Sequence, residues 1–287
     1  MSLTIKNLLI WTLLINSELL AGQCASGPYA FQTGERLTYE VAYNWGVIWV
    51  DAGEVIFKVD TISKEDRTMF YFDSYGESYK FYDWFYKVRD RYQCVVQSKG
   101  FKPVWFTRKT SEGGYSVNNS YVYDWKKMQV VSSTENSKKS RSVDTLDLKP
   151  CSFDVLSAIY YARTFDFSTY EPGEKIPIRF LIDGQFYDLY IRYLGRENKK
   201  NRNGKVYDCN KFSAMLVDGT IFSGGEDMVV WVTADENKIP VMVEAKIIIG
   251  SIKAYLTGYE NILTELKVVY CRVGIWGNWL NWLNQYS

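Results

Sequence analysis

Two stretches of this chain hold residues whose types and spacing suggest chemistry. In FYDWFYKVRDRYQC, residues 81–94, aromatic rings lie next to Lys87, Arg89, Asp90 and Arg91. Arg-Asp-Arg on a strand places both guanidinium groups on one face, where they could hold a carboxylate or a phosphate. The competing assignment is a cross-strand salt bridge on the outside of a sheet, and it is preferred. In VVWVTADENKIPVMVEAKIIIG, residues 229–250, Asp235, Glu236 and Asn237 sit between two apolar runs. Asp and Asn favour a turn, and Pro240 belongs at the start of the following strand. Adjacent carboxylates on a solvated hairpin tip have neither the burial nor the partner that tunes a carboxyl for acid–base work. The cluster therefore reads as a turn. The residues expected to contact a ligand are Tyr82, Trp84, Arg89 and Arg91 from the first stretch and Trp231 from the second.

Other routes to catalysis are thinly supplied. The chain has no histidine, which removes the usual acid–base group near neutral pH and the commonest metal ligand. No CxxC pair exists, so neither a metal nor a cofactor is expected. SEGGY, residues 111–115, is not a nucleophile elbow. GRENKKNRNGK, residues 195–205, lacks phosphate-loop spacing and its Ser or Thr. A formal charge of +1, with no basic stripe, gives no case for nucleic acid.

The N-terminus places Lys6 before an apolar run and then small residues, the layout of a secretory leader over residues 1–25, with the cleavage point open anywhere between Ala21 and Ser26. Cys24 is a candidate lipid acceptor, although Gln23 rather than a small residue precedes it. Cys94, Cys151, Cys209 and Cys271 could form two disulfides in any of three pairings, or remain as buried thiols. The expectation is an exported protein, in the periplasm, attached peripherally to the outer membrane, or outside the cell.

Beyond the leader, the chain reads as β-rich. It carries 23 Tyr, 15 Phe and 10 Trp, residues that suit pleated surfaces. Leu37, Tyr39, Val41 and Tyr43 alternate with polar neighbours, and Val55, Phe57 and Val59 repeat the pattern. Further strands are expected near residues 69–75, 84–97, 104–109, 115–124 and 128–132. After a polar loop over residues 132–141, one α-helix is expected at about residues 152–165, with Ser152 as its cap and Val155, Leu156, Ile159, Tyr160 and Ala162 on its apolar face. Asp183-Gly184 marks a hairpin in the second half. The fold class expected is mainly β: one strongly curved antiparallel sheet or open barrel wrapped on a single helix, forming one domain over residues 28–263. An aromatic tail, residues 264–287, has Trp276, Trp279, Leu280 and Leu283 at helical spacing and is expected to pack back on the domain.

Several stretches together resemble one known family. They are GERLTYEVAYNWGVIWVDAGEV, VRDRYQ with EGGY, DVLSAIYYAR, DGQFYDLYIRYLGRE and MVVWVTADENKIPVMVEAKIIIGSIKAYL. In this order and spacing they resemble the exported, mainly Bacteroidetes and proteobacterial group called domain of unknown function thirty-one-oh-eight. The resemblance implies a secreted or periplasmic antiparallel β protein with no established activity. The ending, a Trp strand, a turn and a Pro strand, is also similar in architecture to periplasmic lipoprotein carriers. The function expected is non-enzymatic binding of a lipid or another lipophilic or extended ligand on the concave face. The alternatives are an outer-membrane β-barrel and, behind it, a carboxylate-based polysaccharide hydrolase.

Overall fold

The computed structural model describes residues 24, 27–45, 48–64, 67–217, 224–247 and 250–269. The leader (Cys24 apart), Cys271 and the tryptophan-rich end of the tail lie outside the described residues. Eight strands form the first half: β1 (Arg36–Trp45), β2 (Ile48–Lys64), β3 (Arg67–Ser78), β4 (Val88–Gln97), β5 (Pro103–Glu112), β6 (Tyr115–Asp124), β7 (Gln129–Asn136) and β8 (Lys139–Asp147). Short β9 (Ser152–Phe153) and the helix α1 (Val155–Ala162) follow. The second half is β10 (Lys175–Ile182), β11 (Gln185–Lys200), β12 (Val206–Leu216), β13 (Gly225–Thr233), β14 (Pro240–Lys246) and β15 (Ser251–Glu260).

All fifteen strands belong to one curved sheet, in the order β8-β7-β6-β5-β4-β3-β2-β1-β15-β14-β13-β12-β11-β10-β9. Each half is a meander of neighbours in sequence, and the β1–β15 ladder joins them. Pairing is antiparallel except between β9 and β10. No ladder links β8 to β9, so the barrel is open. Side chains draw the sheet around instead. The tip of the β10–β11 hairpin carries Asp183, which accepts hydrogen bonds from Asn119 Nδ2 on β6 (2.7 Å) and Arg108 Nη1 on β5 (3.3 Å).

The concave side is solid. Phe72, Phe101, Phe106, Tyr121, Phe153, Leu156, Tyr160 and Leu181 are all essentially sealed from solvent in one cluster. Tyr160 of α1 stacks on Phe72 of β3 with ring centroids 3.8 Å apart, and Phe153 stacks on Tyr161 at 4.3 Å. One pair of opposite charges is buried among these rings. Arg163, just after α1, donates from Nη1 to Glu35 Oε1 (2.6 Å) and from Nη2 to Glu35 Oε2 (2.8 Å). Both faces of β13 are apolar because both are covered: Val230 and Val232 join the main cluster, and Trp231 joins a second one with Tyr207, Cys209, Met242 and Leu266.

Four expectations need correction. Residues 132–141 are not a loop but the β7–β8 hairpin, whose turn falls between Asn136 and Lys139. β8 is an almost wholly exposed edge, so it shows no apolar alternation; its charges also discourage pairing with another chain. The helix is shorter than residues 152–165 and is capped by Asp154, not Ser152. The Asp154 carboxylate accepts from Ser157 N–H (2.8 Å), while Ser152 lies in β9. Ile159, expected on the buried face, is exposed. Finally, Cys24 forms a disulfide with Cys151, and Cys94 and Cys209 are free and buried. A sulfur in a disulfide is not available for a thioether lipid.

Candidate binding surface

The connection between β3 and β4, residues 79–87, is a turn built from rings. Its sequence, YKFYDWFYK, holds six aromatics where Gly, Asn, Asp or Ser are usual. A single 3₁₀ turn, Lys80–Tyr82, starts it, and Phe85 and Tyr86 N–H both donate to Tyr82 C=O (2.9 Å each). Its ends are fixed from three sides. Tyr79 N–H donates to Ala52 C=O on β2 (2.9 Å), Gly113 N–H donates to Lys87 C=O (3.0 Å), and Val88 N–H donates to Ser78 Oγ (2.9 Å). Gly113, at φ +57°, lies directly beneath the Tyr86 ring, and a Cβ there would strike it. The positive φ and the ring contact both require glycine at this turn.

Arg89 closes the base of the connection. Its Nη2 donates to Asp83 Oδ2 (2.6 Å), its Nη1 to Asp83 Oδ1 (3.1 Å), and Ser78 Oγ also donates to Asp83 (2.7 Å). The hydrogen bonds from Arg89 and then Ser78 hold the Asp83 carboxyl below its usual range. On this braced frame the rings point outward: Phe81 is 75 % exposed, Trp84 81 % and Phe85 59 %. Ile48 and Trp49, at the β1–β2 hairpin, are exposed at the same end of the sheet, beyond the Gly53–Ser78 pair that closes the β2–β3 ladder.

The five residues expected to contact a ligand do not form one site. Tyr82 and Trp84 share the β3–β4 connection, with Tyr82 half-buried, and Arg89 lies at the start of β4, already paired with Asp83. Arg91 follows on β4 and is held by Asp73 through Nε and Nη2 (3.1 Å each). It lines a shallow open groove of about 270 Å³ with Ile56, Lys58, Asp73 and Tyr75. Arg91 thus makes the cross-strand salt bridge, whereas Arg89 pairs chiefly with Asp83 in the connection and lies 3.6 Å from Glu77 across the ladder. Trp231 lies six strands away in the sheet order, only 5 % exposed, donating from its indole N–H to Glu197 and covered by Lys199 Nζ 3.6 Å from the ring centroid. The concave face, where the ligand was expected, is filled by the aromatic core described above.

Sequence reasoning missed Phe81, Phe85, Ile48 and Trp49 as surface residues. The available signal was the aromatic content of a connection, which reads as the start of a strand at Trp84; β4 in fact starts at Val88. It also missed Asp90. The Asp90 carboxyl is pushed up to about 7 by burial and then by the neighbouring Glu112, although Ser111 N–H donates to it (3.2 Å). These two acids lie on adjacent strands, not across a cleft, so they are not placed like the pair of a glycoside hydrolase.

An open, curved antiparallel sheet packed on one helix defines a β-barrel-like protein. The chain belongs to the family described as Protein of unknown function (DUF3108), whose model matches residues 38–257. Among solved structures it is similar to a beta-barrel-like protein of domain of unknown function DUF1849 from Brucella abortus. That likeness has a TM-score of 0.47 and 12 % identity, over 80 % of this chain and 99 % of the other. No curated protein matches the chain.

Proposed function

We propose that this is an exported cell-envelope protein that works by binding rather than by catalysis, and that its lipophilic partner is met at the exposed aromatic end, not in the concave face. The observation that carries this reading is the outward display of Phe81, Trp84 and Phe85 on a connection braced at both ends, beside a concave side already filled with rings. Concave apolar pockets are the usual form of small-ligand sites, and here that space is taken up by core. Export is supported by the leader-like N-terminus and by the Cys24–Cys151 disulfide, a bond that persists in oxidising compartments. An outer-membrane barrel fits less well. The ladder is open, and β8 presents charged residues on an exposed strand where lipid would require an apolar band.

The test is purification of the full chain from its native source without detergent, followed by mass spectrometry of the protein and of its organic-solvent extract. The reading expects a processed N-terminus, a Cys24–Cys151 linked peptide and a co-purifying lipophile whose amount falls in Phe81→Ala/Trp84→Ala. An unprocessed chain with reduced Cys24 and no bound lipophile would refute it.

A further inference from the structure

The aromatic end matches one kind of lipophilic partner in particular. It is a convex tip, not a groove, so a folded protein would have to supply a pocket shaped to fit it, whereas a bilayer deforms around it. Its residues are Trp, Tyr and Phe, the amphipathic rings that settle at the headgroup level of membranes. Fixing this tip serves the fold little, because Phe81 and Trp84 bury almost nothing against the protein. Six hydrogen bonds to the Ala52, Ser78, Lys87 and Asp83 groups nonetheless hold it in one shape.

Within the connection itself cations outnumber anions, although Glu54 faces Tyr79 and Glu112 faces Tyr86 at its base. Between Tyr79 and Arg89 lie three cations, Lys80, Lys87 and Arg89, and one anion, Asp83. Arg89 neutralises Asp83 and lies 3.6 Å from Glu77, and Arg202 from the β11–β12 turn takes up Glu40 and Asp51 nearby. No ion pair among the described residues includes Lys80 or Lys87, which flank the exposed rings. Long side chains at an interface can lay their stems along apolar surface and hold the ammonium among headgroup phosphates.

Resting on the proposed binding role, we infer that residues 79–87, with Ile48 and Trp49, form a docking tip for an anionic phospholipid surface. Phe81 and Trp84 enter the headgroup layer while Lys80 and Lys87 hold phosphates at its edge.

The experiment is co-sedimentation of the full chain, tail included, with vesicles of phosphatidylcholine alone and of phosphatidylcholine with phosphatidylglycerol. Wild type is expected to bind the anionic vesicles on the order of tenfold more tightly than the neutral ones, as two interfacial lysines would give. Phe81→Ala/Trp84→Ala is expected to lose about tenfold or more, from the lost apolar burial. Lys80→Glu/Lys87→Glu is expected to bind both vesicle types weakly and alike. Thermal melts check that the variants fold, and Trp84→Gln alone provides a milder second case. Equal binding of wild type to both vesicle types would overturn the inference, as would no binding to either. So would full retention of binding in Phe81→Ala/Trp84→Ala, which would assign the affinity to another segment. Failure here with a lipophile still co-purifying from the native source would leave the broader binding role standing and make the partner a soluble one.

Discussion

The side chain of Asn237 ties the β13–β14 turn to the segment after β15. Its Nδ2 donates to Thr264 C=O (2.9 Å) and its Oδ1 accepts from Thr264 N–H (3.1 Å), while its own C=O accepts from Arg163 Nη2 (2.8 Å). The residue is fully buried although its neighbours Asp235 and Glu236 are not. Replacing it with Ala removes both hydrogen bonds to Thr264, an exposed residue whose freed groups can turn to water, so each bond counts for its net value of about 0.5–1.5 kcal/mol. Asn237→Ala is therefore expected to lower stability by about 1–3 kcal/mol, read from the urea midpoint at constant slope. Arg163 itself presents a sharper contrast. Arg163→Met alone strands the Glu35 carboxylate among aromatic rings and is expected to cost about 3–5 kcal/mol. Adding Glu35→Leu should restore part of that loss, because two apolar side chains tolerate burial where one lone charge does not. A double-mutant cycle by chemical denaturation measures it; equal stability of Arg163→Met and wild type would show that the pair carries little.

At the scale of elements, α1 depends on a cap that is also a titrating group. Burial pushes the Asp154 carboxyl up to about 6, against the opposing hydrogen bonds from Ser157. Its folded value is above the 3.8 of an unperturbed Asp, so the stability linked to it is complete below about pH 4 and lost as pH rises through 6. A shift of that size corresponds to about 3 kcal/mol as an upper figure. Asp154→Asn keeps an oxygen for Ser157 N–H and does not titrate. Its stability is expected to vary less than wild type between pH 4 and pH 7, by urea denaturation at each pH; identical slopes would remove Asp154 as the cause. Elements like this one were legible in the sequence only where one side faces core and the other water. β1 and, most clearly, β6 show that contrast and were readable. The β7–β8 hairpin is polar on an exposed edge and reads as loop, because strand period is a signal of burial rather than of backbone shape. The cap was misplaced because Ser152 and Asp154 are equally good cap residues; only the backbone, extended at Asp154 with ψ 172°, decides between them. At the candidate surface, the sequence displayed the rings and the cations but not which cations were already used. Arg89 and Arg91 are paired by Asp83 and Asp73, leaving Lys80 and Lys87 as the charges with no such partner.

The molecule as a whole is organised by contacts between residues far apart in the chain. That one sheet would curve on one helix followed from strand count and composition. The β1–β15 ladder, and the closing contact of Asp183 with Asn119 and Arg108, depend on how far the sheet curls, which local pattern does not encode. The disulfide is of the same kind. Four later cysteines invited pairing among themselves, yet Cys94 and Cys209 point into separate clusters, and Cys151 meets Cys24 across 127 residues. The bond fixes the start of the described chain beside β9 and α1, next to Tyr29 and Phe31, whose rings pack into the main cluster. Closing so long a loop removes conformational freedom mainly from the unfolded chain, worth about 3–5 kcal/mol. Reduction under native conditions should therefore lower the unfolding free energy by that amount, read as a lower denaturation midpoint at constant slope, while leaving the far-ultraviolet spectrum of the sheet unchanged, since no ladder depends on residue 24. Cys24→Ser/Cys151→Ser should match the reduced wild type, and Cys94→Ala should leave the response to reductant intact. A midpoint indifferent to reductant would mean that the bridge adds no constraint beyond the packing of Tyr29 and Phe31.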